Sequence, residues 1–260
     1  MSEAGDAVVS ALALPDAARQ VHRLTKKDIV GQWDQRSPAD AKLLGRVVAS
    51  ARIVGVLSPA TLGVPAVRAG ETPVDVIPII DLELAERTSE RDRTRAAELM
   101  HRALPRPAVL AVSSPREETR ISLALTRLSK TEAGMSVVEA HLVVELGRIV
   151  QGSLAVQGLD RSDLGAVYRD IVRVAAADGR PASRGLDAAA AVGLRHRIAA
   201  LADDEASARR EAGRERAMQR RIDLNARVAA IRRELSAARA KLFAPEALSS
   251  SSTQDHKVGP

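Results

Sequence analysis

Between residues 224 and 242 the apolar side chains return at spacings of three and four: Leu224, Val228, Ile231, Leu235, Ala238 and Leu242. A run with that period folds as a helix with one oily stripe. The stripe cannot stay in water, so it must fold back on its own chain, pair with a second copy as a homodimer, or receive a partner. An upstream run, Leu194, Ile198 and Leu201, repeats in the same way. From Leu201 to Leu224 the distance is 23 residues, three heptads plus two, so the seam loses phase between the runs. Two outcomes are expected: a break near Gly213 into an antiparallel hairpin, or one continuous helix that changes partners. Residues 203–217 offer only alanine as apolar contact and are expected to be solvated or bound to something charged.

Charge collects in the same place. Residues 194–243 hold 13 Lys plus Arg against 7 Asp plus Glu, a surplus of 6 that equals the formal net charge of all 260 residues. Arg209, Arg210, Arg214, Arg216, Arg220, Arg221 and Arg227 are candidate phosphate contacts, because the guanidinium fork matches a phosphate. The near absence of aromatic residues (1%) argues against single strands read by base stacking and leaves duplex or backbone contact. Arginines interleaved with Glu205, Glu211 and Glu215 are also the ordinary outer face of a coiled coil. Leu224, Val228, Ile231, Leu235 and Leu242 are the candidate partner-binding residues.

Ahead of this arm the pattern is α+β: a four- or five-stranded mixed sheet with flanking helices, followed by a C-terminal helical hairpin or coiled-coil arm. Residues 1–13 read as a flexible N-terminus, 14–178 as the α+β domain, 179–185 as a linker, 186–244 as the basic arm and 245–260 as a disordered, serine-rich tail. Leu14-Pro15 opens an expected helix through residue 30. Ser37-Pro38-Ala39-Asp40 has the chemistry of a helix start, with Ser37 as cap, Pro38 in the first turn and Asp40 at the positive end of the dipole. Residues 52–57 read as a short strand. In residues 74–84, Val74, Val76, Ile80, Leu82 and Leu84 take one face and Asp75, Asp81 and Glu83 the other. Pro78 removes a ladder donor and marks that strand as an edge or as bulged. A charged helix over 90–103 stops at Pro105 and Pro107, a buried strand follows at 108–112, and alternation resumes on both sides of residues 129–134 as a hairpin. Leu164, Val167, Ile171 and Val174 have helical spacing.

Several chemistries are set aside. With no cysteine there is no disulfide, thiolate nucleophile or Cys-rich zinc site. Five histidines, His22, His101, His141, His196 and His256, are not paired at ligand spacing; His141, beside Glu139 and Glu145, is the one to watch. No Walker or dinucleotide fingerprint occurs, and neither Ser58 nor Ser113-Ser114 lies in a nucleophile elbow, so no cofactor and no catalytic residue are expected. Asp75, Asp81 and Glu83 could hold a magnesium ion in a nuclease, but a restriction-type site needs a nearby lysine, and the nearest is Lys130 in the hairpin loop. They read better as the solvated face of an edge strand. The acidic start, with Glu3 and Asp6, is unlike a secretory signal, and no apolar run nears the roughly 18 residues of a membrane span, so the expected setting is cytoplasmic.

Two regions together resemble the domain of unknown function 4391 family. One is residues 218–235, Met-Gln-Arg-Arg-Ile-Asp-Leu-Asn-Ala-Arg-Val-Ala-Ala-Ile-Arg-Arg-Glu-Leu, similar to that family's closing basic helix. The other combines Leu24-Thr-Lys-Lys-Asp28, Leu57-Ser-Pro-Ala-Thr61, the strand over 74–84, and His101-Arg-Ala-Leu-Pro-Arg-Pro107. The resemblance spans about residues 14–243, with Asp75 where the family tends to carry glutamate. It implies no established activity. It implies a companion of helicases and DNA methyltransferases in bacterial clusters that defend against phage. The expected role is therefore a non-enzymatic accessory or adaptor protein docking through the basic arm. Direct duplex binding is the alternative, and a metal-dependent nuclease a more remote one.

Overall fold

The computed structural model describes residues 2–31, 33, 36–68, 73–115, 117–180 and 185–243. The expected tail at 245–260 and the middle of the expected linker, 181–184, lie outside the described residues. The helices are α1 (Glu3–Ala11), α2 (Lys26–Val30), α3 (Pro38–Val47), α4 (Pro59–Leu62), α5 (Glu90–Ala103), α6 (Leu164–Ala176), α7 (Ala188–Arg214) and α8 (Met218–Phe243). The strands are β1 (Arg19–Leu24), β2 (Val48–Leu57), β3 (Ile77–Leu84), β4 (Val109–Ser113), β5 (Arg120–Leu128) and β6 (Ser136–Glu145).

Local chemistry accounts for most of the helix starts. Ser37 accepts the Asp40 amide and Pro38 fills the first turn of α3, as its sequence predicts. Ser89 caps α5, Asp163 caps α6 and Asp187 caps α7 in the same way. Thr25 and Asp28 close a reciprocal capping box on α2.

The sheet has six strands in chain order, against the four or five expected. All neighbours are antiparallel except β3 and β4, which run parallel because α5 carries the chain across between them. The extra strand is β1. Residues 14–30 were expected to be one helix; the stretch instead makes a 3₁₀ turn, β1 and the short α2. β1 is almost wholly exposed, so ladder bonds to β2, and not an apolar face, hold it. The reading of 74–84 as an edge strand is also corrected. β3 lies between β2 and β4, and Pro78 sits opposite Val56 beside a register shift between Ile53 and Gly55 of β2. The missing donor is accommodated by a bulge on the neighbouring strand.

Both faces of the sheet are covered. On one, α3 and α5 bring Leu44, Val47, Ala96, Leu99 and Met100, with Trp33, onto Ile80, Leu82, Leu84, Leu110 and Val112. On the other, α1, α6 and α7 pack over Val54, Ile77, Ile79, Val109, Ile121, Leu123 and Leu142. Residues 1–13, expected as a flexible terminus, contribute to that second layer: Val8, Val9 and Leu12 of the α1 region are buried.

One polar side chain ties α6 to the sheet. β4 begins at Val109, opposite Leu123, so the backbone of Ala124 has no ladder partner beyond it. The buried Tyr168 hydroxyl fills the gap. It accepts from the Ala124 amide at 3.0 Å and donates toward the carbonyls of Ala124 (2.9 Å) and Ala108 (3.0 Å). Burial pushes its ionisation well above the ordinary tyrosine range. Tyr168→Phe strands these backbone groups without water, so it should cost about 1–3 kcal/mol, read as a lowered urea midpoint with an unchanged slope.

Candidate functional site

The C-terminal arm is an antiparallel hairpin, one of the two outcomes that the phase loss allows. The break falls at residues 215–217, just past Gly213. The 27 residues of α7 span roughly 40 Å. Its first half, with Ala191, Val192, Ile198 and Leu201, belongs to the core over α6 and the sheet. α8 packs along α7 and touches little else.

The seam is sealed inside this hairpin. Val228, Leu235 and Leu242, spaced by seven, are buried, while Leu224 and Ile231 are half-buried. Across from them lie Ile198, Leu201, Ala208 and Ala212, all buried on α7. The stretch expected to be solvated therefore buries two alanines, and the candidate partner-binding residues make their apolar contacts within the chain. Once that seam is closed, the exposed large hydrophobics of the arm are Met218 (62%) and Ile222 (49%), both at its tip. Sequence reasoning missed these two. Their signal was an apolar residue off the seam phase.

The arginines divide by position. Near the body, Arg195 pairs with Asp178 at 2.6 Å, Arg197 with Glu234 at 2.7 Å and Arg232 with Glu205 at 2.7 Å. Towards the tip the seven candidates are all exposed. Arg209 lies 3.9 Å from Glu205, and Arg221 leans on the Met218 sulfur at 3.0 Å. Among the described residues Arg210, Arg214, Arg216, Arg220, Arg221 and Arg227 have no ion-pair partner, and neither do Arg233, Arg239 and Lys241 nearer the body. Arg210, Arg214 and Arg216 line one groove at the tip with Ser207, Glu211 and Glu215.

The carboxylates read as a metal candidate are not brought together. Asp75 lies outside β3, exposed, and pairs with Arg106 at 3.2 Å. Asp81 is 1% exposed, against the expectation of a solvated face, and its Oδ2 lies 3.2 Å from Arg52 Nε, directly across the β2–β3 ladder. Glu83 accepts from Ser50 Oγ at 2.8 Å. α1 closes over Asp81 so tightly that a Cβ on Gly5 would lie 3.2 Å from its Cβ and Cγ. A guanidinium therefore stands where a metal would have to bind. Among the described residues no group of three or more His, Asp or Glu side chains converges to hold a metal ion.

A second buried cluster lies on the α5 face of the sheet. Ser122 Oγ bridges His101 Nε2 at 3.0 Å and His141 Nε2 at 2.9 Å, with the rings edge-on at 5.5 Å. His141 thus bonds to a serine, and not to the flanking glutamates noted in the sequence. Burial, reinforced by the nearby His141, pushes His101 down to about 3. Burial lowers His141 as well, opposed by Glu98 and aided by His196. Ser122 is 0% exposed, so this trio joins α5, β5 and β6 and is not open to a substrate.

Both clusters generate tests. Arg52→Met leaves Asp81 as an unpaired buried charge and should cost about 3–5 kcal/mol, whereas the double variant Arg52→Met, Asp81→Leu should recover most of it in urea titrations. His101 is neutral when folded and protonates near 6.5 when unfolded, so the unfolded chain binds more protons between those values. Its contribution should be intact above pH 6.5 and decline as pH falls towards 3. His101→Gln should flatten that decline relative to the parent protein in denaturation series at pH 7 and pH 4.5.

No described helix is long and apolar enough to cross a membrane. No curated protein and no solved structure matches the chain. The family model Domain of unknown function (DUF4391) matches residues 12–235, most of the α+β body and most of the arm. The chain belongs to the DUF4391 family.

Proposed function

We propose that the protein is a non-enzymatic accessory component of a bacterial DNA-processing or phage-defence machinery, cytoplasmic, working beside a helicase or DNA methyltransferase. Its α+β body is the scaffold and its arm the contact element. The observation that supports this reading is the concentration of exposed arginines at the arm's tip. Near the body Arg195, Arg197 and Arg232 are ion-paired while Arg233, Arg239 and Lys241 are exposed; at the tip, among the described residues, Arg210, Arg214, Arg216, Arg220, Arg221 and Arg227 lie without an ion-pair partner around an exposed Met218 and Ile222. The partner classes come from the resemblance carried by residues 218–235 and the N-terminal half. The polar clusters of the body support a structural assignment, since Asp81 is charge-paired and Ser122 has no surface.

The contact element differs from the one expected. Docking through the apolar seam would require α8 to leave α7 and expose Val228, Leu235 and Leu242 together. The exposed distal half needs no such opening.

Replacing residues 206–226 by a short glycine-containing turn keeps the buried Val228, Leu235 and Leu242 and removes the tip. That variant should keep the thermal midpoint of the body within a few degrees. It should also lose co-purification with a co-expressed helicase or DNA methyltransferase. If the shortened protein still co-purifies at the parent level, the arm is not the contact element.

A further inference from the structure

We propose that the tip of the α7–α8 hairpin grips the phosphate backbone of duplex DNA, independently of base sequence, through Arg210, Arg214, Arg216, Arg220 and Arg227. This rests on the reading of the arm as contact element in a DNA-processing system, and it names what the element touches.

Composition of the exposed surface favours a polyanion over a protein face. Residues 209–227 carry seven arginines against three carboxylates, Glu211, Glu215 and Asp223. Two of those carboxylates have other work: Glu215 accepts the Ala217 amide at 2.8 Å, and Asp223 takes the Gln219 amide at 3.5 Å. The core of a protein–protein interface is depleted in charge and rich in apolar contact. Here the apolar part is reduced to Met218 and Ile222, because the seam is closed on α7. Backbone binding to DNA needs cations and no apolar core.

The arrangement also stores repulsion that an anion would relieve. Arg210 and Arg214 are one turn apart on the same side of α7, a like-charge spacing that disfavours a helix. Arg216 in the turn and Arg220 in the first turn of α8 add to the same end. A phosphate bridging such neighbours converts repulsion into charge-assisted hydrogen bonds.

Size sets the mode of contact. A single helix, about 10–12 Å across, fills a major groove about 12 Å wide, so two helices side by side cannot enter it. The hairpin must lie across the backbone with its tip. Contact is thereby limited to phosphates, and the five arginines named above set their number.

The test is a titration of the full chain against a labelled 20-base-pair duplex of arbitrary sequence. Salt is raised from 50 to 200 mM. Five phosphates at about 0.9 each give a slope of log K against log salt no steeper than about −4.5, and up to about a 500-fold loss over that range. Arg220→Gln should make the slope shallower by about one, and glutamine at Arg210, Arg214, Arg216 and Arg220 together should bring it to about −1. Arg197→Gln and Arg232→Gln, whose parents are paired near the body, should leave it unchanged. A scrambled duplex should bind equally. No duplex binding at 50 mM salt, a slope indifferent to the four tip substitutions, or tighter binding of a single strand each overturns the proposal. If duplex binding fails while the arm still governs co-purification, the tip grips a protein instead, and the accessory role survives without the DNA contact.

Discussion

The architecture rests on closing a sheet from both sides with side chains that are nearly all aliphatic. One Trp, one Tyr and one Phe are available in 260 residues. Trp33 enters one layer, Tyr168 the other, and the remaining volume is filled by Leu, Ile, Val and Ala. Small side chains demand close approach between elements, because a gap forfeits the contacts that make burial favourable. α5 presents Ala96, Ala97 and Ala103 to the sheet, and α6 presents Ala175 and Ala176. α1 comes so near to β3 that a Cβ at position 5 would press on Asp81 at 3.2 Å. Three of the polar groups caught inside are tied to a partner element: Asp81 to Arg52, Ser122 to two histidines, Tyr168 to the backbone where β4 ends.

The arm is the continuation of that layer into solvent. α7 starts as a core helix over α6 and, about halfway along, loses everything but α8 as a neighbour. Its buried residues change accordingly, from Val192, Ile198 and Leu201 to Ala208 and Ala212. An alanine seam holds two helices close but contributes little apolar area, so the distal half depends on the proximal half for its stability. Freed from packing, the distal surface is given over to charge. That division separates a packed end from an exposed end within one hairpin.

Much of this was legible in the chain. The capped start at Ser37, the alternation of β5 and β6, and the period of the α8 seam are local signals, each contained within a turn or a hairpin. The helix over residues 90–103 stops where Pro105 and Pro107 mark its end in the sequence. β1 was misread because its residues carry no alternation. It is a strand by virtue of pairing with β2, a partner some 30 residues away. The tip arginines stand out as candidates from composition, but the pairing nearer the body was not visible, because Glu234 and Glu205 reach Arg197 and Arg232 across the hairpin.

By itself, the sequence determined that the chain alternates helix and strand, that its last described stretch is a basic amphipathic element, and that it offers neither a thiol nor a nucleotide-loop fingerprint. Those are properties of residue type and short-range period. Tertiary structure decided which faces are covered. It placed β3 in the middle of the sheet and not at its edge, turned a row of carboxylates into one buried ion pair and two surface groups, and closed the oily stripe of α8 against α7. Burial is set by what lies across from a residue, and that neighbour comes from distant sequence through long-range packing that no local pattern encodes.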